Sequence, residues 1–598
     1  MKRRVERLAE AGFCAAAGLS ALCILAILFF LIAGALPFFR SYGLLPFLFG
    51  TRWTPDRADL FGQAIAGSYG ILPMLVGTLA ASLGALAVGG IPGVWFAVFL
   101  FRFCPSRLRE PAATAIRLLA SIPSVVYGFF GLSVLLPAIA RFVPTNGSGL
   151  LATSLILGTM ILPTVASLSR TALEAVPASI ESGALALGVS PATAIFTAVL
   201  PAARRPILRA LGLGLTRAMG ETMAVILVSG NAPTFPRGLF RSFRVLTANV
   251  ALEMGYAGEV QRGALIAGGA ILLLLVLAVT LFVDHAAKKK AKFTSRTAFF
   301  SSFSPARIRM LVFLCRATGG AVGLALGLLI GFIMAKGAPV LLAEPQLLWG
   351  EFAFGGELVT LLPSLVATLL TVVLSIAVSL PISLMSAIRF CEYAPQSSRI
   401  TSILRRAIAL LGGVPSIIYG LFGMMAFLPI LGGRASILAG SLTVAILLLP
   451  TLISVTEDAL SSVAEGQREG SLALGASRLR TLTHVVLPAA RPGILSAILL
   501  SIGRVLGESA PFLYTMGSVL SPLPVSALDS GTTLAVALYS LAGEGWNLTR
   551  AWGAAFLLLL LSLLLDVVAR GVLSESQKST HGGAFLEKKK NRRHGSRA

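Results

Sequence analysis

Two short segments place an arginine and a glutamate four residues apart inside stretches that are otherwise apolar. They read TRAMGETMA and GRVLGESAP and contain the pairs Arg217–Glu221 and Arg504–Glu508. On a continuous helix each pair would share one face and form an ion pair. A charge in the middle of a membrane span costs about 2.5–3.5 kcal/mol even on the lenient insertion scale, so four such charges in equivalent places need a reason.

The chemistry that suits an arginine in such a place is the recognition of an oxyanion. A guanidinium presents paired donors in one plane and keeps its charge at physiological pH. We therefore predict that Arg217 and Arg504 line a substrate path, and that Glu221 and Glu508 hold them while the path is empty. The alternative is a pair of structural salt bridges that lock neighbouring helices, and the two roles are compatible.

The elements that must position these charges are membrane helices. Of the 598 residues 56% are hydrophobic and 12% are charged, where a soluble globular chain has about 25% charged residues. Apolar stretches of about 20 residues, long enough to cross a bilayer as a helix, occur about twelve times. The expected fold class is therefore an all-α integral membrane protein. The predicted spans lie near residues 12–36, 71–101, 116–139, 148–169, 206–230, 263–283, 310–334, 359–388, 404–431, 436–456, 493–517 and 551–571.

The chain also repeats itself. SIPSVVYGFFGL returns as GVPSIIYGLFGM, ILPT returns as LLPT, and from Gly183 to Glu221 an offset of 287 residues gives identity at about half of the positions. Six predicted spans in each repeat imply parallel halves related by an axis along the membrane normal. Close packing of small residues and a role in gating both remain open for the repeated PSxxYGxFG motif. The predicted segments are a first half (1–284), a basic linker (285–309), a second half (310–573) and a basic tail (574–598).

The net charge of +24 is explained by membrane topology and not by nucleic-acid binding. If the N-terminus is cytoplasmic, about 36 of the 49 Lys and Arg lie on the cytoplasmic side. Both termini are then cytoplasmic, and the basic runs face anionic lipid headgroups. The four histidines are scattered, so no metal or catalytic site is expected. One outward loop is an exception to the excess of basic residues on the cytoplasmic side. It could steer an anion, dock a partner or simply be solvated, and it contains Arg237, Arg241, Arg244 and Arg262.

The longest cytoplasmic loop of each half lies between the fourth and fifth spans. ESGALALGVSPATAIFTAVLPAARRP and EGSLALGASRLRTLTHVVLPAARP predict two short helices joined by a glycine turn, which would project as a compact knob. The pattern is similar to the EAA loop of ABC importer permeases, whose short helices dock into a groove on the ATP-hydrolysing subunit. The first half departs from it, because Ser182 stands where the glutamate belongs and Glu181 is one residue early. The matching positions are Gly183, Ala184, Gly188 and Pro201 in the first half, and Glu469, Gly470, Ser471, Gly475 and Pro488 in the second.

The energy source must be a separate protein, because the chain has no Gly-x-x-x-x-Gly-Lys-Ser/Thr phosphate-binding loop. GLGLTRAMGETMAVILVSGN and LTANVALEMGYA resemble the PstC-type permease of the bacterial phosphate-specific ABC importer. LLGGVPSIIYGLFG and GRVLGESAPFLYT resemble the PstA-type permease of the same system. The resemblance covers nearly the whole chain, and the fusion of the two permeases is its main departure.

The resemblance implies two tandem six-helix type I ABC importer permease (MetI-like) domains in the bacterial inner membrane. It implies import of inorganic phosphate, delivered by a phosphate-binding protein and driven by two ABC ATPase subunits. ATP and magnesium would bind those subunits, so this chain is expected to carry no cofactor and to catalyse no reaction itself. Two alternatives remain open at this point: a permease for another oxyanion such as sulfate or molybdate, and an ion-coupled secondary transporter.

Overall fold

A computed structural model describes residues 2–58, 64–65, 67–288, 304–349, 360–394, 399–518, 520–543, 545, 547–568 and 571, and it is mainly helical. The predicted basic tail 574–598 and most of the predicted linker 285–309 lie outside the described residues. Two small antiparallel strand pairs, β1 with β4 and β2 with β3, occur in the first half. The elements of that half are α1 (Lys2–Tyr42), α2 (Leu44–Phe49), β1 (Trp53–Thr54), β2 (Arg57–Ala58), β3 (Ala64–Ile65), β4 (Ser68–Tyr69), α3 (Leu72–Phe103), α4 (Ser106–Ser121), α5 (Ser124–Ala140), α6 (Leu150–Glu174), α7 (Ala178–Ala186), α8 (191–220), α9 (Met223–Val228), α10 (Leu246–Glu253) and α11 (Glu259–Lys288).

The second half repeats this order of helices. Helix α6 and its counterpart α17 are both 25 residues long, and the short helices that follow them are both 9 residues long. The duplication seen in the sequence is thus a duplication of structure. The helices of the second half are α12 (Pro305–Ala343), α13 (Gln346–Trp349), α14 (Leu362–Tyr393), α15 (Arg399–Leu411), α16 (Ser416–Ile430), α17 (Ile437–Ser461), α18 (Glu465–Ala473), α19 (Arg478–Gly507), α20 (Phe512–Thr515), α21 (Leu534–Gly543) and α22 (Leu548–Val568).

Nine helices of the described residues are long and apolar enough to cross a membrane, namely α1, α3, α6, α11, α12, α14, α17, α19 and α22. A tenth candidate is the pair α4–α5, which bends by 94°. The predicted continuous span 116–139 is therefore wrong. The bend falls at Pro123, which has no N–H to donate, and at Ile122, whose backbone is extended as expected before a proline.

Two other predicted spans also deviate, one because of a proline and one because of charged residues. The region 404–431 divides into α15 and α16, and Pro415 lies immediately before α16. Helix α8 is long, but Arg204, Arg205 and Arg209 on its surface reduce its hydropathy. If α4–α5, α15–α16 and α8 are each counted as one span beside the nine long apolar helices, each half has six spans.

The first helix of each half packs against the opposite half. Phe13 of α1 lies against Tyr393 with ring centroids 5.3 Å apart, and the hydroxyls of Ser20 and Ser386 hydrogen-bond at 3.0 Å. In the reverse direction, Phe332 of α12 meets Phe130 with centroids 6.3 Å apart. The two halves are therefore interlocked.

Small residues allow the central helices of each half to approach closely, as is usual where lipid removes the hydrophobic drive between helices. One face of α14 is a stripe of buried hydroxyls that packs mainly on α17, where the Ser375 hydroxyl donates to the Ser441 carbonyl at 3.1 Å. In the first half α3 has two buried hydroxyls, those of Thr78 and Ser82, and Gly89 of α3 touches Gly158 of α6 backbone to backbone. The residues of the stripe are Ser364, Thr368, Thr371, Ser375, Ser379, Ser383 and Ser386.

Substitution of Gly89 tests this close approach. A methyl group at Gly89 would overlap the Gly158 carbonyl, and neither backbone can give way cheaply. We expect Gly89→Ala to destabilise the protein by about 1–3 kcal/mol, the usual cost of overpacking. Thermal unfolding in detergent would measure the loss. Gly327→Ala in α12 is the matched control, because open space surrounds that position, and equal melting temperatures for both variants would contradict the packing interpretation.

Candidate functional site

The predicted substrate-path arginines lie near the ends of equivalent helices, three residues before α8 ends at Gly220 and α19 ends at Gly507. Arg217 donates from Nη1 to Oγ1 of Thr164 on α6 at 2.6 Å. Arg504 donates from Nη1 to Oγ1 of Thr451 on α17, also at 2.6 Å. The two threonines are the last residues of the repeated ILPT and LLPT segments. These segments, noted above only as repeats, thus orient the guanidinium groups.

The predicted ion pairs on a continuous helix face are wrong in their geometry. Both helices end before the glutamate, and the backbones of Glu221 and Glu508 are extended. In the second half the ion pair forms nevertheless, with Arg504 Nε 3.6 Å from Glu508 Oε1. In the first half Glu221 Oε1 instead accepts the backbone N–H of Ala224 at 3.5 Å, at the start of α9. The charges therefore lie at a helix break, where backbone groups are free to take part in polar contacts.

The helix breaks meet the PSxxYGxFG motifs of the opposite halves. A methyl group at Gly220 would lie 3.2 Å from Cα of Pro415, and one at Gly507 would lie 3.6 Å from Cα of Pro123. Within a half, Gly128 of the first motif packs on Ala224. The interpretation of this motif as close packing is therefore confirmed, and each helix break lies against the motif of the other half.

The four charged side chains converge between the two halves. Glu508 is an electrostatic neighbour of Arg217 and Glu221 as well as of its own partner Arg504. Arg217 is exposed, Arg504 is 29% exposed and Glu508 is 17% exposed. Two guanidinium groups, each oriented by a threonine hydroxyl, thus share an electrostatic neighbour, the Glu508 carboxylate.

The projecting loops consist of one short helix, a turn and a long helix. Helices α7 and α18 end at Ala186 and Ala473, and the turns that follow them contain Gly188 and Gly475, whose φ angles of 83° and 80° lie in the left-handed region that favours glycine. The second helix of each loop is not short, which corrects the prediction. It is the first part of the long helix α8 in the first half and of α19 in the second, and Pro201 and Pro488 lie inside these helices.

The tip of each loop exposes an apolar side chain that sequence reasoning missed. Leu187 is 78% exposed and its counterpart Leu474 is 91% exposed, each next to its turn glycine. Methyl groups at Gly183 and Gly470 would meet no atom within 4 Å, so this face is open. Both leucines are therefore accessible at the surface of their loops.

The acidic residues of the two loops have different environments. Glu181 lies 3.3 Å from Arg102 at the end of α3, so its carboxylate is engaged inside the half. Glu469, at the motif position, is exposed and forms no ion pair within the part of the chain that the structure describes. Its neighbour Arg468 is paired instead with Glu392, at 3.0 Å.

At the opposite end of α3, one of the four predicted outward arginines is structural. Arg244 pairs with Glu253, whose Oε2 also accepts Trp53 Nε1 at 2.8 Å and Gln261 Nε2 at 2.7 Å. Arg244 is therefore held inside the protein by Glu253, whereas Arg237, Arg241 and Arg262 are exposed. Beside this cluster, burial and a hydrogen bond with Asp56 raise the pKa of Tyr69 to about 12, which keeps its hydroxyl neutral.

Comparison with known proteins decides the family. Residues 89–292 and 379–573, one stretch in each half and together more than half of the chain, match the family described as binding-protein-dependent transport system inner membrane component. The chain belongs to this family. This membership confirms the predicted all-α fold of two tandem permease domains in the inner membrane. No group of three or more potential metal ligands occurs among the residues in the described ranges.

Individual relatives of the permease include both predicted types. The "Phosphate transport system permease protein PstA homolog" of Mycoplasma pneumoniae is 29% identical over 536 residues, which is 78% of this chain and 80% of the relative. The "Phosphate transport system permease protein PstC" of Pasteurella multocida is 32% identical over 278 residues, covering 43% of this chain and 84% of the relative. The "Probable ABC transporter permease protein YqgH" of Bacillus subtilis is 33% identical over 270 residues, covering 44% and 85%. The resemblance to PstC-type and PstA-type permeases is confirmed.

Proposed function

We propose that this chain is the complete transmembrane part of an ATP-driven importer of inorganic phosphate. The observation that carries the proposal is the pair of arginines, each hydrogen-bonded to a threonine at 2.6 Å, that converge between the halves. Two guanidinium groups supply paired donors to a tetrahedral oxyanion, and the threonine hydroxyls can turn to donate as well. Relatives named as phosphate transport permeases support phosphate as that anion.

The glutamates would act as internal substitutes for the anion. Glu508 neutralises Arg504 in the empty site at 3.6 Å, a separation that a competing phosphate can break at modest cost. In the first half Arg217 has no such carboxylate partner among the described residues and is exposed. The first-half arginine would therefore meet the anion first, and release of Arg504 from Glu508 would complete the site.

The loop tips would bind the ATPase. Leu187 and Leu474 are exposed apolar anchors on two equivalent knobs, and a groove on each of two ATPase subunits would cover them. ATP and magnesium belong to those subunits. Closure of the ATPase pair would draw the knobs together, turn the helices outward and open the path to a phosphate-binding protein. Hydrolysis would reverse this movement. The loops and both chain termini would then be cytoplasmic, and the Arg244 end would face the binding protein.

Uptake of radiolabelled phosphate tests the proposal. Cells without their own high-affinity phosphate importers would express this chain together with an ABC ATPase and a phosphate-binding protein from the same organism. We expect uptake that requires all three proteins and an intact nucleotide site on the ATPase. Sulfate or molybdate at equal concentration should leave it unchanged. Competition by sulfate would make the chain a permease for another oxyanion, and uptake that survives loss of the ATPase would favour an ion-coupled transporter.

A further inference from the structure

Two ion pairs at equivalent positions have opposite polarity. Each joins the short loop helix of one half to the C-terminal end of the second long apolar helix of the same half. In the first half the cation is Arg102 on α3 and the anion is Glu181 on α7, 3.3 Å apart. In the second half the anion is Glu392 on α14 and the cation is Arg468 on α18, 3.0 Å apart. The helix alignment places Arg102 with Glu392 and Glu181 with Arg468, so the same bridge is built with the charges exchanged.

The loop helices have little else to hold them. Only Ala184 is buried in α7, and no residue is buried in α18. A hydrogen bond of 2.9 Å between the hydroxyls of Ser471 and Thr481 links α18 to the start of α19. With so little buried apolar surface, an ion pair contributes a large share of the contact between each loop helix and the bundle.

The two bridges differ in strength because only a cation can also donate to carbonyls. Arg468 donates from Nη2 to the Leu460 carbonyl at 2.6 Å and from Nη1 to the Val463 carbonyl. It therefore binds the C-terminal end of α17 as well as Glu392, where a positive charge is favoured by the helix dipole. Its side chain is 20% exposed. Glu181 can only accept hydrogen bonds, and its partner Arg102 is 44% exposed.

We infer that these ion pairs are tethers that pass movement of the loop helices to the long helices α3 and α14. This inference rests on the proposed function, in which α7 and α18 dock on the ATPase. Each tether makes its loop helix move as one body with the spans of its own half. The second-half tether connects three helices, α14, α17 and α18, and the first-half tether connects two, α3 and α7. The ATPase therefore acts on the second half through the more rigid connection.

Charge reversal tests the tethers in the full transporter with its ATPase and binding protein. The first-half variants are Arg102→Glu, Glu181→Arg and the double variant. We expect each single variant to lower uptake per molecule of ATP hydrolysed by about threefold, the range of a partly exposed pair. The double variant should recover it fully, because an arginine at position 181 gains both the reversed pair and access to the carbonyls at the end of α6.

In the second half we expect larger losses in the single variants and less recovery in the double variant than in the first half. Glu392→Arg and Arg468→Glu should each lower coupled uptake by about tenfold, because they leave a half-buried charge unpaired. The double variant should recover it only in part, since a glutamate at position 468 cannot donate to the carbonyls of Leu460 and Val463. Arg209→Asp with Asp284→Arg is the control, an exposed pair at 3.5 Å between α8 and α11 that involves neither α7 nor α18.

The measured ratio of uptake to ATP hydrolysis separates the possible outcomes. Full recovery in the first half and partial recovery in the second support the tethers. Double variants that are no better than the worse single variant in both halves would overturn them, as would equal changes in the control. If the unaltered chain imports no phosphate, the proposed function fails. The tethers are then still measured by co-purification of the ATPase with each variant.

Discussion

Replacement of Arg217 or Arg504 by glutamine is expected to reduce phosphate uptake to background. Glutamine keeps a polar side chain that can reach Thr164 or Thr451, but it removes the permanent charge. A hydrogen bond to a charged group contributes about 1.5–3 kcal/mol, so losing one charged donor weakens the bound state by roughly ten- to a hundredfold. The loss should exceed this range because the site has two arginines that act on one anion. Uptake of radiolabelled phosphate, corrected for the amount of chain in the membrane, is the measurement.

Two graded variants separate a role in the substrate path from a structural one. Lysine keeps the charge but loses the planar fork, so Arg217→Lys should retain a small fraction of uptake. Thr164→Val removes the hydroxyl that orients Arg217 at 2.6 Å, and Thr164→Ser keeps it. We expect uptake to fall with valine and to be preserved with serine. Normal uptake by both glutamine variants would eliminate the substrate-path role and leave these groups as packing elements.

The fold was predictable where it depends on local properties of the chain. The length of each apolar stretch can be measured in the sequence, and the repeated segments near Pro123 and Pro415 are found by comparing the chain with itself. The helix breaks were not predictable in this way. Arg217 and Glu221 have the spacing of a helical ion pair, yet the helix ends at Gly220, which packs against Pro415 of the other half. Spacing within one segment does not reveal such a contact between distant segments.

The candidate site also has residues that the sequence identifies and residues whose role depends on contacts between distant segments. The arginines could be identified from sequence because charges are rare in apolar spans. Thr164 could not, since a threonine in a membrane helix has no distinctive local signal and its bond to Arg217 spans 53 positions. The position of Glu181, one residue early for the EAA pattern, has a structural explanation. It is the counterpart of Arg468, not of Glu469, and it bridges to Arg102. A reversal of polarity cannot be recognised until the two helices that it joins are placed side by side.

Replacement of Glu253 by alanine is expected to destabilise the first half more than any surface substitution. Its side chain is 7% exposed and accepts hydrogen bonds from Arg244, Trp53 and Gln261. Alanine would leave the Arg244 charge, itself only 13% exposed, without its anion. Breaking a buried pair from one side costs about 3–5 kcal/mol, because the remaining charge is not compensated. Thermal unfolding in detergent and the amount of chain in the membrane would both report the loss.

Two variants distinguish the charge of Glu253 from its shape. Glu253→Gln keeps the acceptor for Trp53 but loses the negative charge, so it should fall between alanine and the unaltered chain. Glu259→Gln is the matched control, since Glu259 is exposed in the first turn of α11 and its charge is worth about 0.3–1 kcal/mol to the helix dipole. If Glu253→Gln were as stable as Glu259→Gln, the negative charge would not be needed to compensate Arg244. The network would then hold β1, α10 and α11 together by neutral hydrogen bonds, and Arg244 would be held by its hydrogen bonds to the Asn231 carbonyl and the Asn249 side chain.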